Sequence, residues 1–375
     1  ISLADTSGPF PSPANGNSTT SDAGQRQLSA DARFAAISTD AKNLGSGVIT
    51  SSGAQIVRVD RQTNSVLWLS RPLGMPGTNS TGFEPAISAD GRYVVFRSNT
   101  TNLVSGDTNN ATDVFFFDAD NPTLERVNLG PGNVQGLGGA TTTLPTVSDD
   151  GNVIAYSSNQ NNLVVSDTNN AVDIFVRDRA AAATTRVSVD STGAQANSAS
   201  GLSVVSANGR FVVFTSLATN LVADDSNGVQ DIFRHDRQTG QTVRISQSST
   251  GVQANGNSFS SSISADGSLI AFASAATNLV PGDNNARTDI FVRDVTLGTT
   301  TVVSVNSAGI LGNGTSSMPS ISADGQFVSF FANSNNLVSG DTNAQDDVFR
   351  HDRLSGQTLR MSVDPDGRQA DFTPA

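Results

Sequence analysis

One pattern recurs six times along this chain, and it constrains the fold more than any other feature. It reads as a short strand, Ser-x-Asp-Gly, a strand ending near Phe, a polar loop with Asn-Leu, a strand ending in Asp, and a fourth strand. Ile87-Ser88-Ala89-Asp90-Gly91-Arg92-Tyr93-Val94-Val95-Phe96 shows its core most clearly. The turn glycines Gly91, Gly151, Gly209, Gly267 and Gly325 lie 58 to 60 residues apart, and Ala32 fills the same slot in a degenerate first repeat. Six such periods account for nearly all of the 375 residues. Self-similarity at this period marks a repeat architecture, so length does not count domains here.

Each repeat offers four strands, A to D. In the fourth, A lies near Ser203–Val205, B at Arg210–Ser216, C at Asp231–His235 and D at Gln241–Ser246. Asp-Gly or Asn-Gly between A and B is a tight-hairpin signal, and Asp236-Arg237-Gln238-Thr239-Gly240 is turn chemistry between C and D. The expected fold class is all-β: a six-bladed β-propeller with four antiparallel strands per blade. A closed ring hides most strand edges, whereas an open stack exposes its ends. The expected organisation is a single domain: an N-terminal strand or connector over 1–26, blades over 27–70, 84–129, 144–189, 202–247, 260–305 and 318–363, and a tail over 364–375. Ile1-Ser2-Leu3 reads as a strand D, and Asp364–Ala370 as a D–A connection. Two readings stay open: the N-terminal strand closes the ring, or the chain is a piece of a longer one.

The Ser-x-Asp-Gly-x-x-(Val/Ile)-x-Phe-x-Ser core resembles the WD40-like, PD40-type repeats of the TolB-like β-propellers, over residues 27–363. The resemblance implies the propeller fold. It implies no function, because propellers serve many.

Strands B and C are joined by about fourteen residues, Asn99 to Thr112 in the second repeat. A loop that long, repeated almost verbatim, needs something to order it. Asn-Leu occurs in all six (Asn43-Leu44, Asn102-Leu103, Asn162-Leu163, Asn220-Leu221, Asn278-Leu279, Asn336-Leu337). The leucine is expected to plug the loop onto its blade and the asparagine to bond local backbone. Five repeats add Asp-x-Asn-x-x-x-Asp: Asp107, Asn109, Asp113; Asp167, Asn169, Asp173; Asp225, Asn227, Asp231; Asp283, Asn285, Asp289; and Asp341, Asn343, Asp347. Oxygens at alternate positions suit Ca²⁺, which takes six to eight hard ligands from a flexible loop. The expectation is up to five Ca²⁺ ions on these fifteen residues, against the bland reading that they only form Asx-turns. A second aspartate series ends strand C in all six repeats (Asp60, Asp118, Asp178, Asp236, Asp294, Asp352) and reads as a turn cap. The triplet is missing from the first repeat, so it is separable from the blade.

Net charge is -12 with no basic stripe, which argues against nucleic acid. No apolar run approaches a membrane span. Without cysteine, thiol chemistry is excluded. His235 and His351 share one repeat slot with Phe117, Arg177 and Arg293, and Tyr93 and Tyr156 occupy core-aromatic slots. Trp68 reads as packing in the first strand D. The sequence resembles the sialidase Asp-box only superficially, and Gly136–Gly139 precedes no helix. The functional expectation is a non-enzymatic, calcium-binding, extracytoplasmic (extracellular, cell-surface or periplasmic) binding or scaffold module. Its ligand, a protein or a carbohydrate, would sit on the face carrying the B–C and D–A loops. The alternative is a glycan-active hydrolase or lyase using the central channel.

Overall fold

The structure is a computed structural model that describes residues 18–19, 25–44, 53–73, 80–138, 142–343 and 345–369. Its regular elements are strands, grouped as six four-stranded antiparallel sheets, with one short 3-10 turn at Pro131–Asn133. Every sheet runs A-B-C-D in chain order, as consecutive hairpins dictate. The chain divides into two compact halves with three sheets each, one comprising Ile1–Ser188 with Ala207–Gly209 and the other Val189–Ser206 with Arg210–Ala375.

The fifth repeat shows how sequence becomes blade. Strand A is Ser258–Ile263, B is Leu269–Ser274, C is Asp289–Asp294 and D is Thr299–Val302. Strands B and C are buried on both faces, so they read as near-continuous apolar runs, Leu-Ile-Ala-Phe-Ala and Ile-Phe-Val. Phe272 and Phe291 pack with ring centroids 5.8 Å apart, and Phe214 with Phe233 repeats the pair one blade earlier at 6.0 Å. Neighbouring blades bury these faces against each other: one cluster joins Val204, Val213 and Ile232 to Ile270, Phe272 and Phe291. Each such side chain contributes about 1.5–3 kcal/mol on burial. Tyr156 is fully buried, and Tyr93 stacks on Phe116 at 5.5 Å, as core aromatics should.

The A–B turn explains the repeated glycine. Gly267 has φ +77°, and an added Cβ would lie 2.2 Å from the ring of Phe211 in the preceding blade. Gly91 meets Phe34 in the same way. The glycine therefore serves both turn conformation and blade-to-blade packing. The aspartate before it accepts from the serine two residues back: Ser264 Oγ donates to Asp266 Oδ1 at 2.6 Å.

One expectation needs correction, and two gain detail. Strand A begins earlier than the blade boundaries at 144, 202, 260 and 318, starting instead at Thr142, Ser200, Ser258 and Ser316. A β-bulge breaks its pairing to strand B, with Leu144, Leu202, Ser260 and Met318 at φ near +50°. The bulge interrupts the two-residue alternation and conceals the first half of the strand. The first sheet takes its strand A from Ser18–Thr19, inside the 1–26 segment expected to hold an N-terminal strand or connector. The Asn-Leu asparagine does not bond locally, as the next subsection describes. Ile1-Ser2-Leu3 lies outside the described residues. Asp364 donates its N–H to Arg368 O at 2.9 Å, as Asp190 does to Ala194 O, so the tail starts as a D–A connection.

Candidate cation-ordered loops

The B–C loops leave their sheets beside the D–A connections, and side-chain amides tie the two together. In the fifth repeat Asn278 Nδ2 donates to Gln253 O at 2.9 Å, and its Oδ1 accepts from Asn255 N at 3.1 Å. Asn220 and Asn336 do the same to Gln195 and Leu311. The partner is thus a connection more than twenty residues upstream rather than local backbone. The leucines behave as expected: Leu44, Leu103, Leu163, Leu221, Leu279 and Leu337 are all buried.

The Asp-x-Asn-x-x-x-Asp triplet folds as one compact unit. Its last aspartate opens strand C and is essentially inaccessible in all five loops. The asparagine forms an Asx-turn: Asn109 Oδ1 accepts from Ala111 N at 3.0 Å, and Asn285 Oδ1 from Arg287 N at 2.9 Å. Its amide nitrogen faces the carboxylate: Asn227 Nδ2 donates to Asp231 Oδ2 at 2.8 Å, and Asn285 Nδ2 to Asp289 Oδ2 at 2.8 Å. The same amide reaches the D–A loop at Ala254 O and Gly312 O. The asparagine therefore orients the carboxylate. A side chain just past strand D grips the other oxygen in two of these loops, Ser246 Oγ on Asp231 at 2.5 Å and Ser304 Oγ on Asp289 at 2.6 Å, whereas Asn128 Nδ2 shares Oδ1 of Asp113 with Asn109, at 2.5 Å.

Between the two aspartates of four loops lies a guanidinium that sequence reasoning did not anticipate. Arg126 Nη1 stands 3.1 Å from Asp107 and 3.3 Å from Asp113. Arg186 stands 3.3 Å from Asp167 and 3.7 Å from Asp173. Arg244 lies 3.1 Å from Asp225 and 3.5 Å from Asp231, and Arg360 lies 3.6 Å from Asp341 and 3.7 Å from Asp347. All four arginines are almost buried. Each occurs thirteen residues after the second aspartate, opposite the third residue of strand C (Phe115↔Arg126, Phe233↔Arg244). That fixed offset was the available signal. The first repeat, which lacks the aspartates, carries Gln55 and Trp68 at the matching positions, and Trp68 packs in the core.

The fifth repeat keeps both aspartates and has Val302 opposite Phe291. Asp283 is 8% exposed, and neither of its carboxylate oxygens has a hydrogen-bond partner. Burial, then the charge of Asp289, pushes its pKa up to about 6, and the backbone N–H of Asn285, outside hydrogen-bonding geometry, offsets this in part. Burial also raises Asp107, Asp113, Asp167, Asp173, Asp231, Asp289 and Asp341. Among the described residues, no group of three or more His, Cys, Asp or Glu side chains forms a metal cluster. Any ion here would draw on two carboxylates, neutral oxygens and water.

The other singled-out residues have structural partners. The aspartates ending strand C cap the C–D turn; Asp236 accepts from Gln238 N at 2.9 Å and pairs with Arg210 at 2.7 Å. His235 and His351 are buried and each contacts a strand-D threonine at 2.9 Å, as Arg293 contacts Thr300 at 3.1 Å.

The six sheets define a β-propeller with six four-stranded blades. No family model and no curated protein matches the chain. Solved structures do. Oligogalacturonate lyase from Vibrio parahaemolyticus aligns with a TM-score of 0.57 and 11% identity over 98% of this chain and 88% of that one. The β-propeller domain of the Trilobed protease from Pyrococcus furiosus gives 0.51 and 10% over 92% and 83%. TolB from Acinetobacter baumannii is also similar, at 0.45 and 17% over 82% of this chain and 59% of that one. At such identities the likeness shows the fold alone, and the PD40/WD40-like propeller read from the repeat stands at that level.

Proposed function

We propose that this propeller is a non-catalytic binding or scaffold module working outside the cytoplasm, whose working surface is the set of B–C and D–A loops held rigid by buried cations. The observation that carries the reading is the hydrogen-bonded belt. Three D–A connections among the described residues are pinned both by the B–C loop before them and by the B–C loop after them, as Ala254 by Asn227 and Gln253 by Asn278. Such pinning lowers the entropy lost when a partner docks. Along these connections one position presents a more than half-exposed aliphatic side chain: Val134 in the first half, Val252 and Ile310 in the second. Apolar groups on stiff polar loops fit a protein partner better than a sugar. Ca²⁺ is proposed as the ordering ion where the chain supplies no guanidinium, and millimolar calcium outside the cytoplasm matches the weak affinity of such sites.

The neighbouring oligogalacturonate lyases keep the glycan-active alternative in view. The test is incubation with oligogalacturonate, with and without Mn²⁺ or Ca²⁺, while following the ultraviolet absorbance of unsaturated product. No product is expected; turnover would replace the scaffold reading with the enzymatic one. The calcium component is tested by melting curves in chelator and in millimolar Ca²⁺, with a higher Tm expected in calcium.

A further inference from the structure

Four of the five acidic loops mark, by their own chemistry, where a cation sits: a guanidinium lies between the paired carboxylates at 3.1–3.7 Å. The fifth loop retains the carboxylates and their supports. Ser304 and Asn285 hold Asp289 as Ser246 and Asn227 hold Asp231. What changes is the cation side. Val302 stands where Arg244 stands, and Leu311 where Gln253 accepts from Arg244 at 2.9 Å. The shorter Val302 cannot reach the carboxylates. Asp283 is left more than nine-tenths buried with both oxygens unpartnered, and it joins none of the ion pairs found among the described residues.

We propose that the B–C loop of the fifth repeat is a divalent-cation site that takes Ca²⁺ between Asp283 and Asp289, while the other four loops are filled by their own arginines. The inference rests on the reading that cations order these loops, and it narrows an expected five ions to one. Two buried charges of one sign, Asp289 held by neutral hydrogen-bond donors and Asp283 unpartnered, are balanced by a dication with no residual charge. Asp283 offers two free oxygens, Asp289 offers the lone pairs that Ser304 and Asn285 leave, and water with loop carbonyls completes the shell. Ca²⁺ tolerates such an irregular, partly hydrated set, whereas Mg²⁺ demands a strict octahedron. The competing way to neutralise the pair is one shared proton.

The experiment is equilibrium dialysis of the full chain against radiolabelled Ca²⁺, after chelation, beside Val302→Arg and Asp283→Asn. The expected result is one ion per chain with Kd in the range of about 10⁻⁴–10⁻³ M, lost in both variants. Val302→Arg should fold normally by circular dichroism, because it restores the side chain of its sibling loops. Its Tm in chelator should match or exceed that of the wild type, whose own Tm rises by about 2–4 °C in saturating calcium. Several ions per chain, undiminished in Val302→Arg, would overturn the assignment to this loop and leave calcium-ordered loops standing. No binding at several millimolar Ca²⁺, with a wild-type Tm in chelator that rises on acidification, would show the shared proton and overturn both.

Discussion

The fourth and fifth blades are adjacent and share the bounds of strands A to C and loop motifs at a 58-residue offset, yet they meet one electrostatic problem differently. In the fourth, Asp225 and Asp231 face Arg244, which Gln253 also holds. In the fifth, Asp283 and Asp289 face Val302 and Leu311. Strand register, Ser-Asp contact and Asx-turn are the same in both. The difference shows that the acidic triplet and its Asx-turn form with or without a guanidinium between the carboxylates. The blade folds either way, because its core lies in strands B and C.

The largest effect expected is from Arg244→Val, which converts the fourth loop into a copy of the fifth. Two buried carboxylates lose their counter-ion, and stability should fall by about 3–5 kcal/mol in chelator, measured by urea unfolding. Millimolar Ca²⁺ should recover part of the loss; if it does not, the two loops are not equivalent cation sites. Next is Gly267→Ala, at the wedge joining these blades. The added methyl meets the Phe211 ring at a positive φ, for a cost of about 2–4 kcal/mol. Gly240→Ala also sits at φ +76° but in open space, and should cost only about 1 kcal/mol. Equal losses would remove blade packing as the reason for the repeated glycine.

A smaller effect is expected from Asp283→Asn. It removes one charge from an uncompensated pair, so in chelator at pH 7 the variant should be about 1–2 kcal/mol more stable than the wild type. The corresponding Asp225→Asn, whose partner is an arginine, should be destabilising. Like signs for the two would break the comparison. The smallest effect concerns His235, which fills the slot that Arg293 fills in the fifth blade. Burial lowers the His235 pKa from the usual 6.5. A lowered folded value means the unfolded chain binds the proton more readily. This contribution is full above pH 6.5 and is lost as pH falls through the folded value. His235→Arg should flatten the stability profile below pH 6.5, as followed by urea unfolding across pH.

Much of the fold was legible because its signals are local. Asn208-Gly209 and Asp266-Gly267 specify hairpins, and the Phe-bearing runs specify buried strands, within ten residues of chain. The bulges at Leu202 and Ser260 were not legible, because their residues carry no turn chemistry and their positive φ is imposed by pairing with strand B. The Asn-Leu pair was half-read. The leucine's burial follows from its own apolarity, but Asn278 finds Gln253 only once two consecutive blades are side by side.

The candidate site divides in the same way. The sequence by itself determined six periods, four strands in each, and five loops bearing paired carboxylates, since alternation and turn preference act between near neighbours. The guanidinium that meets four of these pairs was left to tertiary structure. Arg244 lies thirteen residues beyond Asp231, and the C–D pairing of Phe233 with Arg244 is what swings its guanidinium back over the loop. Opposite Phe291 the same register delivers Val302, so among the described residues Asp283 and Asp289 meet no guanidinium and both oxygens of Asp283 stay unpartnered.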